Sequence, residues 1–220
     1  MSRWRYGVLA LVFWFVAGPA LAGPNAGGTL VVHELGLNAS CEINPDPASC
    51  SQIDVEASLT PGLCWFNAWK VFAAFPDDAA PRLKGVAMGA DFGPAVVIAY
   101  AEVPDPGSDF VVMENGWPYA SGGTVGISFG TTQTSQFVPC YLFAGYAYYV
   151  DRFAVVPHPA HPRGFFDDSE PPVEDYIAGF GWLGFGQPGY APCPSPEAAP
   201  DAGDAPQVEQ SWGKIKAGYR

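Results

Sequence analysis

The sequence predicts an all-β protein: a single antiparallel β-sandwich domain followed by a disordered C-terminal tail. Three observations carry that expectation. The 220 residues include 26 Gly and 23 Pro, both of which are costly inside helices. Aromatic residues make up 15% of the chain, and aromatic side chains favour strands joined by tight turns. Apolar runs also recur with turn signals at roughly 8–12-residue spacing, the pattern of a sandwich or barrel. Charge excludes one class of function. Lys plus Arg number 10 against 22 Asp plus Glu, a net charge of −12, which repels phosphate backbones and excludes nucleic acid as a partner.

Residues 1–22 read as a signal peptide. Arg3 and Arg5 form a positive start, 6–16 an apolar stretch, and Ala20-Leu21-Ala22 the small-x-small pattern of a cleavage site. The apolar stretch is shorter than the roughly 20 residues that span a bilayer, so no membrane span remains after cleavage. The expected location is secreted, periplasmic or cell-surface.

The domain is placed at 23–193. Strands are expected at 28–35 (GTLVVHEL), 53–59 (IDVEASL, which alternates) and 65–75 (WFNAWKVFAAF, suited to a central strand). They continue at 83–92, 95–103, 109–113, 124–130, 141–150 and 152–158. Asn115-Gly116 signals a type I′ turn, whose two central residues need positive φ. The one stretch with a helical cast is 173–178. Beyond the domain, 194–210 is an acidic, Pro/Ala-rich linker that lacks the apolar surface to offset ordering. The last ten residues, 211–220, carry Trp212, Lys214, Lys216, Tyr219 and Arg220. This compact basic-aromatic end on an acidic tether reads as a sorting tag.

Five cysteines follow the signal: Cys41, Cys50, Cys64, Cys140 and Cys193. Export implies an oxidising compartment and hence disulfides, and close-spaced zinc-ligand pairs are lacking. Cys41 and Cys50 flank a turn-rich loop and are assigned as the first bridge. Cys140 with Cys193 would tie the end of the domain to the core, with Cys64 able to replace either, and the odd count leaves one thiol over.

Candidate chemistry is thin. GISFG (126–130) matches the G-x-S-x-G nucleophile pattern, and Asp151 and His158 follow Ser128 in the order a hydrolase would need. TTQTSQ is a poor helix start after it, so a serine hydrolase is only the alternative reading, and no catalytic residue is assigned. His158 and His161 lie near Asp167 and Asp168 in a Pro-rich stretch. Pro157, Pro159 and Pro162 hold such a chain extended, so the stretch reads as a surface loop whose imidazoles need not converge. Metal binding there is a further alternative, and neither a metal ligand nor a cofactor is assigned. Asp77, Asp78 and Asp105 read as turn residues. The aromatic set is richer: Trp65, Trp69, Trp117, Trp182, Tyr119, Tyr146, Tyr148 and Tyr149. Most such rings fill cores, but flat exposed ones can stack on sugars. Trp117 and Tyr119, beside the Asn115-Gly116 turn, and Trp182, in the Gly-interleaved stretch 177–190, are the candidate ligand-binding residues.

The stretch PRLKGVAMGADFGPAVVIAYAEV (81–103) resembles cohesin-type β-sandwich modules, in which a strand ending in Asp-aromatic precedes a second apolar strand. That resemblance implies a sandwich of cohesin-like, Ig-like or jelly-roll kind and transfers no functional residue. The order of GGTLVVHE, WFNAWKVFAAFP, PRLKGVAMGADF, YLFAGYAYY and GFGWLGFG resembles uncharacterised exported bacterial proteins that close on a similar Trp-Gly, basic, aromatic-Arg ending. It implies secretion and a sorting role for 212–220. The reading from sequence is an exported binding or scaffolding protein without catalysis, its ligand a surface polysaccharide or another exported protein.

Overall fold

The computed structural model describes residues 23–104 and 108–194. Its strands are β1 (Thr29–Glu34), β2 (Glu56–Ala57), β3 (Asn67–Ala74), β4 (Leu83–Phe92), β5 (Val96–Glu102), β6 (Ser108–Glu114), β7 (Thr124–Gln133), β8 (Phe137–Ala147), β9 (Asp151–Pro157), β10 (Gly164–Phe166), β11 (Glu174–Tyr176) and β12 (Trp182–Phe185). No α-helix occurs among the described residues, and 173–178 holds β11 instead. The proposed signal peptide, most of the linker, the basic-aromatic end and Asp105 lie outside the described residues.

Two sheets face each other. One is four-stranded in the order β1-β3-β8-β5, and the other has eight strands centred on β4. One edge of β4 pairs with β7, which in turn pairs with β6. The other edge pairs first with β10 at Gly85 and Val86, then with β9 from Met88 to Phe92. Alternation decides which residues point inward. Trp69, Val71 and Ala73 from β3 meet Val86, Met88 and Ala90 from β4 in the core between the sheets. Trp69 sits at its middle, stacked on Phe143 and edge-on to Phe153 and Phe185, with centroids 5.4–5.7 Å apart. Such offset and edge geometries add to the gain from burial alone.

Every residue of β3 is buried, which its nearly unbroken apolar run anticipates. Its outer face is covered by the excursion 36–66 and the end of the domain. Phe72, Ala74 and Val31 pack beneath Cys50, Ile53 and Ala191, while Ala68 and Leu142 pack with Leu35 and Leu37. Lys70, on the same face, is buried with its ammonium 2.5 Å from Asp46 of the excursion. A buried cation needs such a partner.

The disulfides fasten this cover, and the assignment of Cys41 to Cys50 is corrected. Cys41 pairs with Cys64, and Cys50 with Cys193, with Cα–Cα separations of 5.4 and 5.6 Å. Cys140 is the thiol left over. It lies wholly within the core, where burial pushes its pKa up to about 12. Two further expectations shift. Of 53–59 only Glu56 and Ala57 form a strand, in parallel with β12. The stretch around His161 also turns rather than runs extended: the His161 amide donates to the His158 carbonyl at 3.2 Å, and β10 follows.

Candidate functional site

The four-stranded sheet is covered over β1 and β3 but open over β8 and β5. Register shows what the open part presents. Val97 pairs with Tyr146, Tyr100 with Ala144, and Glu102 with Leu142, with a bulge between Ile98 and Tyr100. Val96, Ile98 and Ala101 point to the core, so Val97, Tyr100 and Glu102 share the outer face with Ala144 and Tyr146. Small Ala144 leaves room between the rings. The bulge keeps Tyr100 in the outward row, since without the extra residue the alternation would turn it inward.

The tyrosines are ordered by one another and by Glu102. Tyr146 and Tyr148 meet edge to face, centroids 5.2 Å apart, with hydroxyls 3.3 Å apart. That hydrogen bond is the main reason the Tyr146 phenol titrates above its usual range. The Tyr100 hydroxyl donates to Glu102, which raises its own pKa, and Tyr119 adds to the rise. Tyr100, Tyr119, Tyr148 and Tyr149 are all exposed. Trp65 stands at the same end of the sheet, two residues before Asn67, which pairs with Gly145. It is 84% exposed and has φ 63°, in the left-handed region. For a bulky side chain this conformation is rare and costs roughly 1–2 kcal/mol. The Cys41–Cys64 bridge next to it holds the chain there. This surface can offer flat apolar rings, phenol donors and one carboxylate, which suits recognition rather than bond-making.

A groove lies on the outer side of the eight-stranded sheet, with a volume of about 340 Å³. Register explains it. Ser128 pairs with Gly85, and Gly126 with Ala87, so small residues floor the groove. Phe110 stands across from Ser128 on one side and Phe166 across from Gly85 on the other. A Cβ added at Gly126 would meet nothing within 4 Å. His158 and His161 close one end, their rings 5.3 Å apart. Burial, then the neighbouring His161, hold His158 below its usual pKa.

The sequence-derived residues fare unevenly. Ser128 and His158 do line one groove, but Ser128 sits within β7 rather than on a strand-to-helix turn, and no hydrogen bond joins the two. Asp151 is elsewhere, accepting from the amides of Ala95 and Arg152 at 3.1 and 2.8 Å. The hydrolase constellation is therefore not assembled. His158 and His161 converge, contrary to the expectation of an extended loop. Yet among the described residues no group of three or more His, Cys, Asp or Glu is placed to hold a metal ion. Asp167 is tied up by Ser169 and the Val173 amide, and Asp168 by Arg82 at 2.8 Å.

The three aromatic candidates do not form one site. The Asn115-Gly116 turn has positive φ at both residues, as expected. Trp117 after it folds back to lie edge-on against Tyr141 and Phe143 in the core, only 6% exposed, which corrects its placement on the surface. Tyr119 is exposed and acts electrostatically on the Tyr100 phenol. Trp182 is half-buried under the Arg152 guanidinium, 5.9 Å from its ring, on the other sheet. Sequence reasoning had included Trp65, Tyr146, Tyr148 and Tyr149 in the aromatic set without singling them out, and it missed Tyr100. Plain alternation from Val96 and Ile98 points Tyr100 inward, so its outward placement depends on the bulge and has no signal in the sequence.

No family model matches this chain, and no curated protein matches it. Among solved structures the fold is similar to three cohesin modules. One is from a family 33 glycoside hydrolase of Clostridium perfringens ATCC13124, at 3% identity and TM-score 0.46, covering 73% of this chain and 96% of that one. Another is the sixth cohesin of scaffoldin B of Acetivibrio cellulolyticus, solved with a Cel5 dockerin variant, at 8% identity and TM-score 0.41, covering 70% and 96%. The third is a non-cellulosomal cohesin of Archaeoglobus fulgidus, at 5% identity and TM-score 0.37, covering 71% and 91%. At these values the likeness concerns the fold alone and carries over no residue and no role.

Proposed function

We propose that this chain is an exported, non-catalytic binding module that holds another exported protein through the open half of its four-stranded sheet. The single observation that carries the reading is the outward row of Tyr100, Tyr146 and Tyr148 beside exposed Trp65, on a sheet whose other half is sealed. Tyrosine and tryptophan recur at the energetic centres of protein interfaces, because they bring large area at small cost in side-chain entropy. Several exposed rings on one sheet face can each fill a pocket of a partner protein, which favours a protein over a polysaccharide. Two disulfides agree with an oxidising, extracellular setting.

The test is capture from the host's exported fraction on immobilised protein, compared with Trp65→Ala, Tyr146→Ala and, as a control on the far groove, Phe110→Ala. A partner retained by the parent protein and by Phe110→Ala but lost from the other two supports the reading. A partner lost only from Phe110→Ala refutes it. Retention on a panel of surface polysaccharides, with no protein captured, moves the ligand class to carbohydrate.

A further inference from the structure

The start of the described chain is built around a buried carboxylate. Residues 23–28 turn tightly, the Ala26 amide donating to the Gly23 carbonyl at 3.1 Å and the Gly28 amide to Asn25 at 3.3 Å. Asn25 is fully buried. Its side-chain oxygen accepts the Arg82 amide at 3.0 Å, and its own amide donates to Asp175 Oδ2 at 3.0 Å. Asp175, on β11, is 7% exposed and also receives the Gly23 N–H.

Gly23 fits so closely that a Cβ there would run into the Asp175 carboxylate. Among the described residues no Lys, Arg or His nitrogen lies within 4 Å of Asp175. Arg163, a cation that acts on it from a distance, lies over the Tyr176 ring and donates to the Glu174 carbonyl, while Asp167 repels it. A buried carboxylate held by two amides and no cation is costly unless a positive charge arrives. Burial accordingly pushes its pKa up.

We propose that the bond between Ala22 and Gly23 is a processing site, and that the α-ammonium freed at Gly23 pairs with Asp175 and locks the new N-terminus onto β11. The covalent step is peptide hydrolysis by a signal-type peptidase. Water adds its hydroxyl to the Ala22 carbonyl carbon, the C–N bond breaks, and the Gly23 nitrogen gains one proton from that water and another from solvent. The small-x-small pattern at 20–22 supplies the recognition. Only the cleaved chain then satisfies Asp175, so maturation and completion of the fold are one event. Gly is required at 23 because any side chain would occupy the space of the carboxylate.

The test uses the mature full-length protein recovered from its host. Intact mass should place the first residue at Gly23. The α-amine should then acylate at pH 7.5 about tenfold more slowly in the folded protein than in the same protein unfolded in urea, since each unit of raised amine pKa costs a factor of about ten in free base. Asp175→Asn should remove most of that protection. A chain retaining Ala22 should melt at lower temperature than the Gly23-start chain, and Asp175→Asn should erase the difference. A mature chain starting elsewhere, equal acylation folded and unfolded, or equal melting with and without Ala22 would each overturn the proposal. If Asp175→Asn does not fold, the acylation rates of the parent protein decide.

Discussion

The cover over β1 and β3 rests on two crosslinks of very different span, and their removal should not cost the same. Cys50–Cys193 joins residues 143 apart and Cys41–Cys64 residues 23 apart. In the chain-entropy account, a crosslink stabilises by restricting the unfolded chain in proportion to the logarithm of the loop it closes. That gives about 5 kcal/mol for the long loop, about 3.5 kcal/mol for the short one, and a difference of about 1.5 kcal/mol. The native state adds to the asymmetry. Cys50 packs over Phe72 and Val31 together with Ile53 and Ala191, so opening the long bridge also loosens the lid on that cluster. The perturbation is the paired replacement Cys50→Ser with Cys193→Ser, set against Cys41→Ser with Cys64→Ser. Urea unfolding followed by tryptophan fluorescence gives the two losses directly. The first pair should lose more by at least the loop term. Equal losses, or a larger loss from the short bridge, would refute the argument. They would mean that residual structure in the unfolded chain, not loop length, sets the contribution.

Trp65→Gly should raise the melting temperature, since it relieves a left-handed conformation worth roughly 1–2 kcal/mol, while abolishing partner binding; a neutral effect on both would strip Trp65 of its role. His33 accepts the Asp54 amide at 2.8 Å through Nδ1, and burial lowers its pKa below 6.5. A histidine whose folded pKa is lowered binds protons more readily when unfolded, so stability falls as pH drops from about 6.5 toward the folded value. His33→Gln should flatten that part of the stability profile, measured by thermal melts from pH 7 to 5. Ser128→Ala should leave hydrolysis of generic esters at background in both forms, and any activity lost with Ser128 would revive the hydrolase alternative.

The long strands were legible because their signals are local. β4 occupies 83–92 as its alternation required, and β3 reads as central because both its faces are apolar. β10 and β12 were not, because neither owns its pattern. Gly164–Phe166 is a strand because Gly85 and Val86 lie along one edge of it and Glu174–Tyr176 along the other. Trp182–Phe185 depends on β9, with Gly184 packed so tightly that a Cβ would meet the Gln187 carbonyl oxygen. Disulfide pairing failed for the same reason. Proximity along the chain favoured Cys41 with Cys50, whereas the excursion folds over the sheet and brings Cys50 to the far end of the domain. A turn beside Trp117 does not make it exposed. The turn instead directs the chain back, with the Gly122 amide donating to the Ala90 carbonyl at 2.8 Å, and this carries the indole over the edge of the core.

The same folding-back explains why the candidate surface lies where it does. An outer sheet face rich in Val31, Phe72, Ala74 and Leu142 would be an exposed apolar patch if nothing lay on it, and such patches seek partners indiscriminately. The excursion closes that part with Lys70 and Asp46 as its charged anchor and disulfides as its permanent one. What stays open is the stretch where the outward residues carry hydroxyls, Tyr100, Tyr146 and Tyr148, together with Glu102. Rings with polar tips tolerate water when alone and exclude it when covered. A face of this kind therefore need not be shielded from water, whereas the face over β1 and β3 must be. The division of one sheet into a sealed half and an open half follows from that difference in side-chain chemistry.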